Sequence, residues 1–229
     1  MMPNGDQTVT PEDHRSAARN LAAEYQSRGD PLGWFDALYK SAAGKPNQIP
    51  WAELRPNPYL VKWLDQASPT PGKALVIGCG LGDDAELLAS RSWTTTAFDI
   101  SSQAIQWAKQ RFPKTSVDYQ VANALNPPHA WLRQFDLIVE IFTLQAMPRP
   151  MHLQAIPKIA ALLAPAGRLF LFCRARNESD PPGSMPWPLL ESEIRLFQKS
   201  GLNCETFDDF LDNENPPVRR FQAVFRRPQ

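Results

Sequence analysis

The chain has 229 residues, with 24 Lys and Arg balanced by 24 Asp and Glu, and 43% of it is apolar. That length suits one large domain, or one domain with an extension, and buries a core without staples. Neutral charge argues against a dedicated nucleic-acid or membrane-surface binder, the apolar share excludes wholesale disorder, and no apolar run reaches the ~18 residues of a membrane span.

Residues 1–11 are polar and read as loose, without the basic-then-apolar pattern of a secretion signal. From Pro11 to Arg28, Ala17, Leu21, Ala22 and Tyr25 follow helical spacing behind Thr10 as N-cap. A second helix is predicted from Pro31 to about Ala43, stopped by Gly44. The connector GKPNQIPWAELRPNP carries Trp51 and four of the chain's 23 prolines, a proline usage about twice the general one. Asn57-Pro58 then reads as the N-cap and first turn of a third helix.

At Lys73 the rhythm changes. KALVIGCGLGDDAELLAS is an apolar run, a glycine turn and a helical pattern, and TTTAFDISSQAIQWAKQRF repeats the theme. SVDYQVANAL alternates like a strand, while FDLIVEIF and GRLFLFCRA are continuous apolar runs, as in strands buried on both faces. A helix is expected over Met151–Leu163, with Pro157 an uncomfortable interior residue, and another from about Leu189 to Lys199. Strands alternating with helices at this spacing give βαβ units and a parallel sheet. The last two extended segments, LNCETFDDF and RRFQAVFRR, are joined only by LDNENPPV, which has no room for a crossover, so they must be antiparallel. Asp208, Asp209, Asp212 and Glu214 face Arg219, Arg220, Arg226 and Arg227 along this hairpin, which favours mutual pairing over an RNA-binding patch.

The chemistry sits in Gly78-Cys79-Gly80-Leu81-Gly82-Asp83-Asp84. Glycines just past a strand let the backbone turn sharply and approach a ligand, and the next helix offers free N–H groups. The spacing is G-x-G-x-G and not the G-x-G-x-x-G of a dinucleotide site, which disfavours an oxidoreductase. Asp99 ends the next strand, where a carboxylate can accept from both ribose hydroxyls. Glycine turn plus acidic strand end implies a nucleoside-containing ligand. Other constellations are absent: His14, His129 and His152 lack ligand spacing, no metal is expected, and there is no GxSxG, HExxH or Walker lysine. Cys79, Cys173 and Cys204 form no CxxC, in keeping with a reduced, cytoplasmic protein, and small size explains Cys79 in the loop better than reactivity.

VIGCGLGDD, FDIS, the Asn123-Ala124 step, FDLIVEIFTLQAMP, LLAPAGRLFL and the terminal hairpin together resemble a class I S-adenosylmethionine-dependent methyltransferase. The resemblance spans roughly residues 31–227. It implies an α/β, Rossmann-like, mostly parallel seven-stranded sheet with an antiparallel C-terminal hairpin and helices on both faces. It also implies S-adenosylmethionine as cofactor: Gly78, Gly80 and Gly82 around the methionine part, Asp99 at the ribose, Ile100 at the adenine, Asn123 and Ala124 at the adenine amino group, and Glu140 and Ile141 near the methyl-bearing sulfur. Asp83 or Asp84 meets the cofactor's amino group, or Asp83 simply caps the helix.

The leader resembles the cap of the thiopurine, halide/thiol and tellurite methyltransferase branch through WFDALY, Gly44, IPW and Asn57-Pro58. That likeness implies a helical cap over residues 1–57 and a methyltransferase domain over 58–229, with Trp51, and more loosely Trp34, closing over the cofactor. Trp187 either walls the substrate site or staples the following helix. The expected activity is in-line methyl transfer to a small acceptor, a thiol or other soft nucleophile, with no obligatory general base. The alternatives are an O- or N-methyltransferase of a small metabolite and a non-catalytic S-adenosylmethionine-binding protein.

Overall fold

A computed structural model of the chain describes residues 10–229 apart from 182 and 184; the expectation of a loose start over residues 1–9 lies outside the described residues. Helix α1 (Pro11–Ser27) starts in a reciprocal box: the Thr10 side chain accepts from the Asp13 N–H at 3.3 Å, and the Asp13 carboxylate accepts from the Thr10 N–H at 2.7 Å. Helix α2 (Trp34–Ala42) begins three residues later than Pro31, because residues 31–33 form a turn. Helix α3 (Pro58–Ala67) is capped by the Asn57 side chain, as its sequence predicts.

The α/β body follows as β1 (Lys73–Ile77), α4 (Asp83–Ser90), β2 (Thr94–Asp99), α5 (Ser102–Arg111), β3 (Asp118–Val121), β4 (Phe135–Ile141), α6 (Arg149–Leu162) and β5 (Leu163–Arg174). Two short helical segments, α7 (Glu191–Ile194) and α8 (Leu196–Lys199), precede β6 (Asn203–Leu211) and β7 (Arg219–Arg226). The seven strands run in the order β3-β2-β1-β4-β5-β7-β6, with β1 to β5 parallel and β7 antiparallel to both β5 and β6. The predicted mostly parallel sheet with a reversed hairpin is therefore the observed fold.

Alternation along the central strands explains why both faces are covered. Leu75, Ile77, Ile138, Leu169 and Leu171 point toward Ile156, Ile159 and Phe197 of α6 and α8. Ala74, Val76, Leu137, Val139, Phe170 and Phe172 point toward Leu60, Leu64, Leu88 and Ile105 of α3, α4 and α5. A third core joins Ala18, Ala22, Trp34, Leu38 and Tyr39 of the leader to Leu81, Ala104 and Trp107 of the body.

Two helices differ from expectation. Pro157 lies inside α6 and neither ends nor restarts it. It and Leu153 are on the exposed side, where water can take the carbonyl that the missing N–H leaves free. The helix expected from Leu189 to Lys199 is instead α7 and α8, parted at Arg195 with ψ of −9°. Leu189 is drawn into a bridge with Ala175, and the Glu193 carboxylate turns back to accept from the Leu190 N–H at 2.9 Å.

The hairpin charges pair selectively. Arg219 meets Asp209 at 2.7 Å, and the buried Arg220 meets Asp212 at 2.6 Å and also Glu214. Asp208 instead sits opposite Gln222 in the register, and Arg227 donates to the Ala160 carbonyl at 2.6 Å. Arg226 is 3.6 Å from Glu205.

Candidate functional site

The C-terminal ends of the parallel strands open into a cleft of about 420 Å³, the size range of a small-molecule site. Gly78, Gly80 and Gly82 have φ of +58°, +51° and +94°, so the loop after β1 is left-handed at each. A Cβ at Gly78 would collide with the Thr143 hydroxyl, and one at Gly82 with the Tyr119 hydroxyl. The loop is bound at its centre: the Gly80 N–H donates to Asp99 Oδ2 at 3.0 Å, and the Ser101 N–H to Asp99 Oδ1 at 2.9 Å. Burial pushes the Asp99 carboxyl up to about 6, against the pull of the Ser101 and Gly80 amides. Each of its oxygens keeps a lone pair for a further donor.

All three glycine-loop neighbours named from the sequence do not serve alike. Gly78 and Gly80 line the cleft, whereas Gly82 is the N-cap of α4 in the left-handed conformation. Asp83 is therefore not the cap; Arg111 grips it through two bonds of 2.8 Å. Asp84 accepts from the Asn57 N–H at 2.7 Å, and burial raises its carboxyl to about 6. Both aspartates line the cleft. Ile100, Asn123, Ala124 and Ile141 line it too. The Asn123 side-chain oxygen already accepts from the Leu125 N–H at 2.8 Å, which shapes the turn after β3.

Glu140 departs from the expected placement. It is fully buried behind the cleft wall, where Oε1 accepts from the Thr143 and Leu144 N–H groups at 2.8 and 2.9 Å. Burial lifts its carboxyl to about 7, opposed by those two amides, and its Oε2 has no partner. The side chain curls beneath the end of β4 to hold the next turn. That turn includes Phe142 at φ of +64°, a strained conformation for a bulky residue.

The leader forms the outer wall. Trp51 lines the cleft, is 36% exposed, and donates its indole N–H to the Tyr39 hydroxyl at 3.1 Å. Trp34 is buried and packs edge-on to Trp51 at 5.8 Å between centroids, while its neighbour Phe35 lines the cleft. Asp36 fastens the leader to the body: one carboxylate oxygen accepts from the Ser101 hydroxyl at 2.9 Å, the Ser102 hydroxyl at 3.2 Å and the Gln103 N–H at 3.3 Å. Trp187 packs with the leader core, and Met185 and Pro186 line the cleft in its place. Burial pushes the Cys79 thiol well up from its ordinary range.

Tyr39, Asp36, Phe142, Arg174 and Arg220 are parts of the site that motif reading did not single out. Tyr39 and Asp36 lie within WFDALY, the leader segment that reads as a cap, and this was the available signal. The hairpin charge pattern marks Arg220 only as a pairing partner, and no local pattern marks Arg174, since neighbours distant in sequence decide its burial. His152 is locked between the Glu193 carboxylate at 3.1 Å and the Met147 carbonyl at 2.9 Å, and no histidine lines the cleft among the described residues.

Residues 74–167, from β1 into β5, match a protein family described as a methyltransferase domain. The ubiquinone biosynthesis O-methyltransferase of Thiobacillus denitrificans is 30% identical over 135 residues, covering 56% of this chain and 57% of that protein. The chain thus spans little more than half the length of that relative. Thiocyanate methyltransferase 1 of Brassica oleracea is 26% identical over 183 residues, covering 78% of this chain and 75% of that one. Among solved structures, the N-methyltransferase NodS from Bradyrhizobium japonicum WM9, in complex with S-adenosyl-L-homocysteine, superposes with a TM-score of 0.67 at 24% identity, covering 84% of this chain and 97% of that one. The architecture is the Rossmann-like fold that this structure shares. No helix of the described residues is long and apolar enough to cross a membrane.

Proposed function

We propose that the protein is an S-adenosylmethionine-dependent methyltransferase of a small acceptor, favouring a thiol or other soft nucleophile. The observation that carries this reading is the tie between the Gly80 amide and the Asp99 carboxylate, set in the wall of a cleft that the aromatic leader covers. Left-handed glycines give a backbone close enough to hold the methionine part, and Asp99 offers acceptors for ribose hydroxyls. Ile100, Asn123 and Ala124 suit an adenine, and Asp84 suits a cationic amino group. Residues 1–57 act as the cap and residues 58–229 as the catalytic domain.

Bound S-adenosylmethionine supplies a methyl group on a sulfonium, transferred by displacement at carbon. The chain's part is alignment, and holding two reactants in line can be worth roughly 7–11 kcal/mol of barrier. Trp51, Phe35 and Tyr39 supply electron-rich surface near a sulfonium and exclude water. Acceptor deprotonation by the protein is not required when the nucleophile is a thiol near pKa ~8.5, already partly ionised at neutral pH. The likeness to a thiocyanate methyltransferase over 78% of the chain supports a soft nucleophile. The three cysteines are free, which suits the cytoplasm.

A methyl-transfer screen across thiols, halides, oxyanions, phenols and amines tests the acceptor class. Thiols should lead. Phenols or amines turned over more efficiently than every thiol would move the assignment to O- or N-methylation.

A further inference from the structure

Resting on the methyl-transfer reading above, we propose that the acceptor carries a carboxylate and that the guanidinium of Arg174 binds it. The sheet order divides the cleft into two halves. The glycine loop, Asp99 with Ile100, and Asn123 with Ala124 follow β1, β2 and β3, which assigns that half to the nucleoside. Phe142, Gln145, Met147, Arg174 and Arg220 line the half over β4, β5 and β7. This half is where an acceptor would sit.

The two arginines there are register partners across β5 and β7, yet they are not equivalent. Arg220 is saturated. It is almost fully buried, bonded to Asp212 at 2.6 Å and to Glu214, and held over the Phe142 and Phe172 rings at 5.3 and 5.6 Å. Arg174 is half-buried at the cleft wall, and among the described residues no carboxylate lies within ion-pair distance of it. Asp212 and Glu214, the acids on the neighbouring hairpin, make their ion pairs with Arg220 and act on Arg174 only at longer range. On the leader side, Glu12 is paired to Arg19 and Arg15. The backbone of Arg174 is fixed: its N–H donates to Gln145 Oε1 at 2.6 Å, and its carbonyl accepts from the Leu189 N–H at 2.9 Å. Burial, and next the charge of Arg220, hold this guanidinium below the ordinary arginine range.

A half-buried cation whose nearest acids, Asp212 and Glu214, are paired to another arginine and reach it only at longer range keeps donors for a ligand. A guanidinium offers parallel N–H donors that match the two oxygens of a carboxylate. The surrounding Phe142 and Met147 suit an apolar or aromatic body on the same molecule. A small aromatic or aliphatic acid bearing the nucleophile satisfies both features.

The test is calorimetric titration of S-adenosylhomocysteine-saturated protein with 4-mercaptobenzoate and with 4-mercaptobenzamide, in wild type, Arg174→Gln and Arg174→Lys. Wild type should prefer the carboxylate about tenfold or more, the scale of hydrogen bonds to a charged group. Arg174→Gln should lose that preference, Arg174→Lys should keep part of it, and both should bind S-adenosylhomocysteine as wild type does. A wild type without the preference, whether it binds both thiols or neither, overturns the proposal. So does an Arg174→Gln protein that retains the preference, or variants whose main loss is S-adenosylhomocysteine affinity, since Arg174 would then hold the cofactor's own carboxylate. A wild type that binds no S-adenosylhomocysteine would instead sink the methyltransferase reading itself.

Discussion

The backbone amide of Gly80 donates to the carboxylate of Asp99 across 3.0 Å, joining the loop after β1 to the end of β2. Two features that the sequence sets 19 positions apart thereby become one surface. The same carboxylate also holds the first turn toward α5 through the Ser101 N–H. Asp99 thus organises the loop and presents free lone pairs to the cleft.

Removing it should separate those roles. Asp99→Asn keeps an acceptor for one backbone amide, while Asp99→Ala keeps none. Losing hydrogen bonds from ribose hydroxyls to a charged acceptor should weaken S-adenosylmethionine binding by about 1.5–3 kcal/mol, roughly 10- to 150-fold. Calorimetry on folded Asp99→Ala protein showing wild-type affinity would remove the ribose assignment.

The leader should close on its ligand. Trp51 rests on Tyr39, and Asp36 pins α2 to the start of α5. Hydrogen exchange over residues 45–57 should slow when S-adenosylhomocysteine is added. Asp36→Ala should speed exchange there in the free protein. Unchanged exchange on adding ligand would reduce Trp51 to ordinary packing.

Glu140 makes a stability prediction with a definite sign. Its folded carboxyl is raised to about 7, so the native state holds the proton more tightly than the unfolded chain does. The resulting favourable contribution is present at low pH and is lost as pH rises through about 7. Glu140→Gln removes the charge and keeps an oxygen for the Thr143 and Leu144 amides. Relative to wild type, this variant should gain little at pH 5 and about 1–3 kcal/mol at pH 8. Denaturant melts at the two pH values check it; a pH-independent difference would refute the buried-charge account.

The histidines should be dispensable for chemistry. His129→Asn should keep activity within a few-fold, since His129 does not line the cleft. His152→Asn should lower thermal stability by breaking its links to Glu193 and Met147, with activity per folded molecule within a few-fold. At subsaturating acceptor, the rate should rise with pH along the acceptor's own ionisation. A hundredfold loss in either folded, cofactor-bound variant matches removal of a general base, which typically costs ~10²–10⁴. That result would favour hydroxyl acceptors.

The sheet was legible because its strands announce themselves. VIGCGLGDD changes from apolar run to glycine turn to helix within a few residues, and LDNENPPV is too short for anything but a reversal. Asp99 was legible because a lone acid ends the Thr/Phe strand that follows the glycine turn and its helix. Glu140 occupies a similar place near the end of β4, yet curls under the wall, and nothing in FDLIVEIF separates the two cases. The hairpin charge pattern foretold that Asp212 and Glu214 pair with Arg220, but not that Arg174, its register partner on β5, makes no ion pair among the described residues. The late start of α7 was equally hidden, since Leu189 is held in a bridge with Ala175 from a different part of the chain.

Product stoichiometry decides whether the protein transfers a methyl group from S-adenosylmethionine. Wild-type protein given methyl-labelled S-adenosylmethionine and a thiol panel should form labelled thioether and S-adenosylhomocysteine in equal amounts, and Asp99→Ala at the same cofactor concentration should form far less. Wild type that binds S-adenosylmethionine yet methylates no thiol, halide, oxyanion, phenol or amine would contradict methyl transfer and leave a protein that only binds the nucleoside.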